Sequence, residues 1–132
     1  MSQENVEIAS RAIDAFNATD VAAFTALTTA GFEWSPSMVA VESEIFRGRA
    51  GIEKYFESLS DAWEDFHILR DRFRDHAELV VMLGGLRGRG KGSGVPVNAS
   101  LGMLFDFRDG QISRIRGFLG HDEALRAAGL AE

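Results

Sequence analysis

The most constraining stretch of this 132-residue chain is Leu79 to Ile115, LVVMLGGLRGRGKGSGVPVNASLGMLFDFRDGQISRI. It holds an apolar run, a Gly/Arg-rich bend, a second apolar run, an Asp-Gly turn and the start of a third run. Apolar runs punctuated in this way read as successive antiparallel strands. The spacing predicts strands over Leu79–Arg89, Val95–Phe107 and Gln111–Leu119. A strand at His67–Phe73 leads into them through an Arg74-Asp75-His76 turn. Alternation gives each strand two unlike faces. Val80, Met82, Gly84 and Leu86 share one face of their strand; Val97, Ala99, Leu101, Met103, Phe105 and Phe107 share one face of the next. Arg87, Arg89, Asn98, Ser100 and Asp106 fall opposite, and on the last strand Arg114, Arg116 and Phe118 oppose Ser113, Ile115, Gly117 and Leu119. One sheet face is therefore nearly all apolar and the other is mixed with arginines.

The residues before this stretch read as helices that need a sheet to lie on. Ser2 is placed to cap a helix with Glu4 in its first turn. Val6, Ala9, Ile13 and Phe16 recur along it at helical spacing, widened by Ile8 and Ala12. Asp20 is a second N-cap, for a helix over Val21–Ala30 that buries Phe24 and Leu27 and is closed by Gly31. Phe32 to Pro36 suits a short edge strand broken by proline. Met38 to Phe46 is loop with a brief extended piece. After Gly48 to Gly51, a third helix carries Ile52, Phe56, Leu59, Trp63 and Phe66 on one stripe, flanked by Tyr55 and Ala62. The tail HDEALRAAGL is a short amphipathic cap anchored by Leu125 and Leu130. Helices followed by strands predict one α+β domain over residues 1–132, with the helices on one face of the sheet. Long strands beside short helices favour a strongly bent antiparallel sheet wrapped around the helices, forming a cone with an internal apolar cavity.

Composition narrows the partners. A formal charge of −6 argues against broad nucleic-acid or anionic-membrane binding. The chain has no cysteine, which removes disulfides, thiol nucleophiles and cysteine-ligated metals and suits a cytoplasmic location. The polar, acidic N-terminus is no signal peptide, and no apolar run approaches the ~20 residues of a membrane span. Ten Phe, two Trp and one Tyr mean either a bulky core or an aromatic-lined cavity.

Gly85 to Gly92, GLRGRGKG, resembles a phosphate loop but lacks Ser or Thr after its lysine and is followed by a strand instead of a helix. It reads instead as a bending hairpin in which Gly84, Gly85 and Gly88 allow sharp curvature. Candidate pocket residues are Phe16, Trp34, Tyr55, Leu59, Trp63, Met82, Met103 and Phe105, weighed against the simpler reading that they fill the core. His67, the histidine nearest that cluster in sequence, is the candidate general acid-base, with Tyr55 as a hydrogen-bonding partner for a substrate oxygen. The alternative for His67 is a strand-edge residue with no role. His76 falls in a turn and His121 at the start of the tail cap; three scattered histidines lack metal-ligand spacing, so neither metal nor cofactor is expected. Arg87, Arg89, Arg114 and Arg116 are placed to pair with Asp106 or with a dimer mate.

The element order, the closing FRDGQISRIRGF and the terminal EALRAAGL resemble the nuclear transport factor 2-like superfamily, and within it the SnoaL-like, polyketide cyclase-like branch. The resemblance covers nearly the whole chain. It implies the cone fold and, as is common in the family, a homodimer. It does not imply one activity, because the fold hosts isomerases, cyclases, epoxide hydrolases, dehydratases and non-catalytic binders. Steroid isomerases of this fold carry a tyrosine on the first helix, a base before a proline on the first strand, and a protonated acid in a late strand. The corresponding positions hold Ala12, Ser35 and Met103, so that chemistry is not expected. An acid late in the sheet, described for cyclases, has only Gly120 and His121 near its place. Arg87, Asp106, Arg114 and Arg116 supply the residue types of the epoxide hydrolases without their motif. Three readings follow. The first is a binder of a small apolar molecule, the second a cofactor-independent cyclase or isomerase using Tyr55 and His67, and the third a dimeric scaffold with a filled core.

Overall fold

The computed structural model describes residues 2–36 and 45–130; residues 37–44, most of the ambiguous Met38–Phe46 stretch, lie outside the described residues, as does the Ser2 side chain. The first helix, α1 (Ser2–Asn17), forms on the expected stripe and buries Ala9, Ala12, Ile13 and Phe16. Asp20 caps α2 (Val21–Thr25) by accepting from Ala23 N at 3.1 Å. This helix is much shorter than Val21–Ala30. The Thr28 hydroxyl donates to the Thr25 carbonyl at 2.8 Å, and Ile112 N donates to the Leu27 carbonyl at 2.9 Å. These bonds draw the chain into β1 (Thr28–Ser35), so Gly31 lies within a strand and closes no helix.

The two-residue strand β2 (Phe46–Arg47) precedes α3 (Gly48–Ala62). The third helix stops four residues before Phe66. Trp63 already pairs with Gly90, and the Ala62 carbonyl accepts from Lys91 N at 3.0 Å. Trp63, Glu64, Asp65 and Phe66 therefore open β3 (Trp63–His76), and the following turn sits at Ala77–Glu78, not at Arg74–His76. The strands β4 (Leu79–Gly90), β5 (Pro96–Arg108) and β6 (Gln111–Phe118) follow the predicted pattern, and α4 (His121–Ala127) closes the described chain.

The six strands run in the order β2-β1-β6-β5-β4-β3 in one curved, unclosed sheet. Every pairing is antiparallel except β1 with β6, which is parallel, and β2 makes β1 an inner strand where an edge was expected. The helices α1 to α3 cover one face. Their apolar residues join Val80, Met82, Leu86, Leu101, Met103, Phe105, Phe107 and Ile115 in a single core. A smaller core on the opposite face holds Val81, Leu83 and Leu104 under Ala124 of α4, with Leu125 and Leu130 packed on it. The expected helical cover on one face is thus joined by a second on the other.

Gly84 and Gly88 act as more than bending points. Each faces β3 beside an irregularity in its register, one between Trp63 and Asp65 and one between Arg70 and Arg72. A Cβ at Gly84 would collide with the Leu69 carbonyl; at Gly88 it would stand 2.8 Å from the Asp65 carbonyl. The β3 backbone leans across β4 at both places, and only glycine leaves it room. The phosphate-loop look-alike is the end of β4 and its hairpin, with Lys91 Nζ bonded to the Ser60 carbonyl at 3.2 Å.

As an edge strand, β3 exposes unpaired backbone groups. Asn17 meets two of them: its Nδ2 donates to the Ile68 carbonyl at 3.0 Å and its Oδ1 accepts from Ile68 N at 2.9 Å. Arg70 ties the same strand to α1 through Asp14, at 2.7 Å, and the Ser10 carbonyl and hydroxyl, both at 2.9 Å. These contacts hold α1 across the mouth of the sheet.

Candidate functional site

Aromatic rings converge where α1, α2 and α3 meet the sheet. Trp34 of β1 is at the centre. It stacks on Phe24 (4.8 Å between centroids, 9° between planes) and meets Tyr55 edge-on at 4.5 Å and Phe16 at 5.9 Å. Rings meeting edge to face gain electrostatically. Two spaces remain beside them.

The inner chamber has a volume of about 30 Å³ and is lined by Phe16, Trp34, Pro36, Tyr55, Phe66, Ile68, Leu101, Met103 and Gly117. Gly117 contributes to the space by lying opposite Met103 in the register without a side chain. The outer chamber, about 130 Å³, is bounded by Phe16, Thr19, Phe56, Leu59, Ser60, Trp63, Glu64 and Phe66. Phe16 and Phe66 belong to both walls and meet edge-on at 5.8 Å. At another end of the molecule, Glu4, Asn5, Glu7, Arg11, Glu78 and Asp109 border a polar hollow of about 460 Å³. Among the described residues no group of three or more His, Cys, Asp or Glu is arranged to hold a metal ion.

Of the eight expected pocket residues, Phe16, Trp34, Tyr55 and Met103 line the inner chamber, and Leu59 and Trp63 line the outer one. Phe105 borders only a closed gap behind Trp34, together with Ala12 and Ile13. Met82 is fully buried and lines neither chamber. Pro36, Phe66, Ile68, Leu101 and Gly117 complete the inner lining. Their signal was present in the sequence, because Leu101, Gly117 and Ile115 share the apolar strand faces; Phe66 was obscured by its fit to a helix.

The polar chemistry is sparse. Tyr55, the single tyrosine, is buried, and its hydroxyl bonds to no described residue. Burial pushes its ionisation well above the ordinary phenol value of 10.0, so at neutral pH it is a proton-bearing donor. His67 is not brought to it. Phe66 and Ile68 line the inner chamber, and strand alternation turns His67, between them, toward the other face, opposite Arg87. Its side chain is 41% exposed, and its Nδ1 lies 3.0 Å from Asp65 Oδ1 at an angle too poor for a hydrogen bond. His121 Nε2 lies 2.7 Å from the Gly84 carbonyl and braces the start of α4. Asp106 takes Arg114 at 2.6 Å and Arg116 at 3.4 Å across the outer face, as the cross-strand pattern led us to expect. Arg89 instead bonds to the Gly94 carbonyl at 3.0 Å. Ala12 and Met103, two of the isomerase-matching positions, border the same closed gap, while Ser35 lines neither chamber.

A curved six-stranded sheet holding an aromatic pocket under three helices defines the class of small α+β cone proteins. The profile of the SnoaL-like domain matches residues 9–115, and this chain belongs to that family. No curated protein sequence matches it. Solved structures show the same fold at low identity. One is a nuclear transport factor 2-like protein of unknown function from Burkholderia pseudomallei, with a TM-score of 0.80 and 16% identity over 93% of this chain and 95% of that one. A protein assigned to the SnoaL-like polyketide cyclases, from a Jannaschia species, has a TM-score of 0.77 and 22% identity over 99% and 94%. TerC, co-crystallised with polyporic acid, has a TM-score of 0.78 and 15% identity over 96% and 97%.

Proposed function

We propose that this protein binds a compact, planar, apolar molecule against Trp34, with the Tyr55 hydroxyl as a hydrogen-bond donor to it. The observation that carries this reading is the inner lining itself: aromatic and aliphatic side chains with Tyr55 as the hydroxyl-bearing residue and, among the described residues, no carboxylate, histidine or lysine. An apolar site with one polar anchor selects by shape and orients by one bond. The organic ligand crystallised with TerC supports the use of this fold for such molecules. Proton-transfer catalysis needs a base within hydrogen-bond reach of the substrate. Among the described residues the lining supplies none, and the role read for Tyr55 is that of a donor that polarises a bound oxygen. No helix among the described residues is long and apolar enough to cross a membrane.

The test is a panel of neutral aromatic compounds followed by quenching of tryptophan fluorescence and by the melting temperature. The expected result is saturable quenching by at least one member, abolished in Trp34→Phe. Ligands carrying a carbonyl should bind Tyr55→Phe about tenfold more weakly, as for loss of one buried hydrogen bond. A panel that neither quenches nor stabilises the protein overturns the binding reading. We also read the outer sheet face, with its Arg47, Glu33, Arg114 and Asp106 row and half-exposed Leu69, as the surface through which two copies associate. Light scattering of the purified protein tests this directly.

A further inference from the structure

The inner chamber has room for about one or two waters, not for a ring, since one water occupies roughly 10–15 Å³ on this scale. The outer chamber, at about 130 Å³, is close to the ~150 Å³ cavity that admits benzene in an engineered protein. Phe16 and Phe66 line both and meet edge-on. We infer that the two chambers form one entry path and that Phe66 is its gate: a planar apolar ligand is captured in the outer chamber and reaches Tyr55 when Phe66 turns aside. This inference rests on the binding reading above and adds the route and the residue that controls it.

Phe66 is the movable member of the pair. Phe16 is buried and clasped edge-on by Trp34, Phe56 and Phe66. Phe66 is half-buried, on an edge strand, and meets only Phe16 and Trp63 among the rings. Its cross-strand neighbour is Gly88, which has no side chain to pin it. The strand is irregular just before it, between Trp63 and Asp65, and becomes fixed just after it, where Asn17 bonds both backbone groups of Ile68. The ring thus stands between a loose and an anchored point of β3, with the outer chamber as the space into which it can turn. Thr19, Ser60 and Glu64 give that chamber a polar rim, so the leading end of the ligand is apolar and any polar group trails.

Stopped-flow mixing with nitrobenzene, a neutral single-ring quencher of tryptophan fluorescence, tests the gate. In the intact protein the observed rate should saturate with probe concentration, because ring displacement limits entry. In Phe66→Ala it should rise linearly and exceed the saturated rate by about tenfold or more, since association is slowed when it needs a conformational change. Leu125→Ala loosens the core on the opposite sheet face with the gate and both chambers intact and should leave the saturated rate unchanged; Phe66→Leu covers the case in which the alanine variant fails to fold. Equal rates in the intact protein and both Phe66 variants, with binding retained, overturn the gate and leave the binding reading standing. Equal acceleration in Leu125→Ala also overturns it, since general loosening then explains the effect. Failure of the probe to bind any of these proteins removes both readings.

Discussion

The two faces of the sheet are packed by different rules. Under α4 the contacts are aliphatic and tight: Val81, Leu83 and Leu104 lie against Ala124, and a Cβ at Gly102 would collide with the Ala124 side chain. Under α1 to α3 many contacts are between rings, and two chambers remain. The same strands supply both faces, so backbone curvature alone does not make a pocket. Side-chain size does: bulky rings stand beside Gly117, which has no side chain, and the space between them stays unfilled.

Truncations of equal size give the largest effect that tests this difference. Leu83→Ala should cost about 3–5 kcal/mol in urea unfolding, near the top of the range for such changes. Leu101→Ala, which enlarges a wall that already borders empty space, should cost about 2–3 kcal/mol. Equal losses would mean that the two faces are packed alike. Next comes Gly102→Ala, expected to destabilise by about 1–3 kcal/mol through overpacking. Adding Ala124→Gly should recover part of the loss despite the helix penalty of ~1 kcal/mol for glycine, and a strictly additive pair would exclude the contact.

Alkaline titration sharpens the comparison from the hollow side. The Tyr55 ionisation is raised in the folded state, so the folded chain holds that proton more tightly than the unfolded one. The resulting stability is fully present below the unfolded value near 10.0 and is lost as pH climbs above it. Because the chain has one tyrosine, phenolate absorbance reports on this group alone. It should appear only with unfolding, as followed by circular dichroism; phenolate forming in the folded protein near pH 10.0 would place the hydroxyl in water. The smallest effect belongs to Tyr55→Phe without ligand. Removing a hydroxyl that bonds to no described residue should change stability by less than about 0.5 kcal/mol, whereas a larger loss would reveal a further hydrogen bond.

Much of this arrangement was legible in the sequence, and the exceptions share a cause. The α1 stripe and the three long strands carry unambiguous periods. Trp63 and Phe66 do not: they satisfy helical spacing after Leu59, and only the pairing of Trp63 with Gly90 decides for a strand. Thr28 to Ala30 continued a plausible helix until β6, some eighty residues away, claimed the Leu27 carbonyl. The side chains Phe16, Trp34, Tyr55 and Met103, which line the inner chamber, were legible because bulky side chains recur on inward faces. His67 was proposed for its chemistry and its nearness in sequence, although alternation between Phe66 and Ile68 already turned it outward. The Asn17 contact could not be read at all, since its partner lies fifty-one positions along the chain.

That contact has a consequence for the protein's behaviour in crowded solution. A sheet with an open edge is a growing polymer in miniature, ready to accept the next strand that fits. The Asn17 amide has the same donor and acceptor as a peptide unit, and it occupies the place at Ile68 where an incoming chain would dock. It works as a chain stopper, a single peptide-like unit from which no further strand can be propagated.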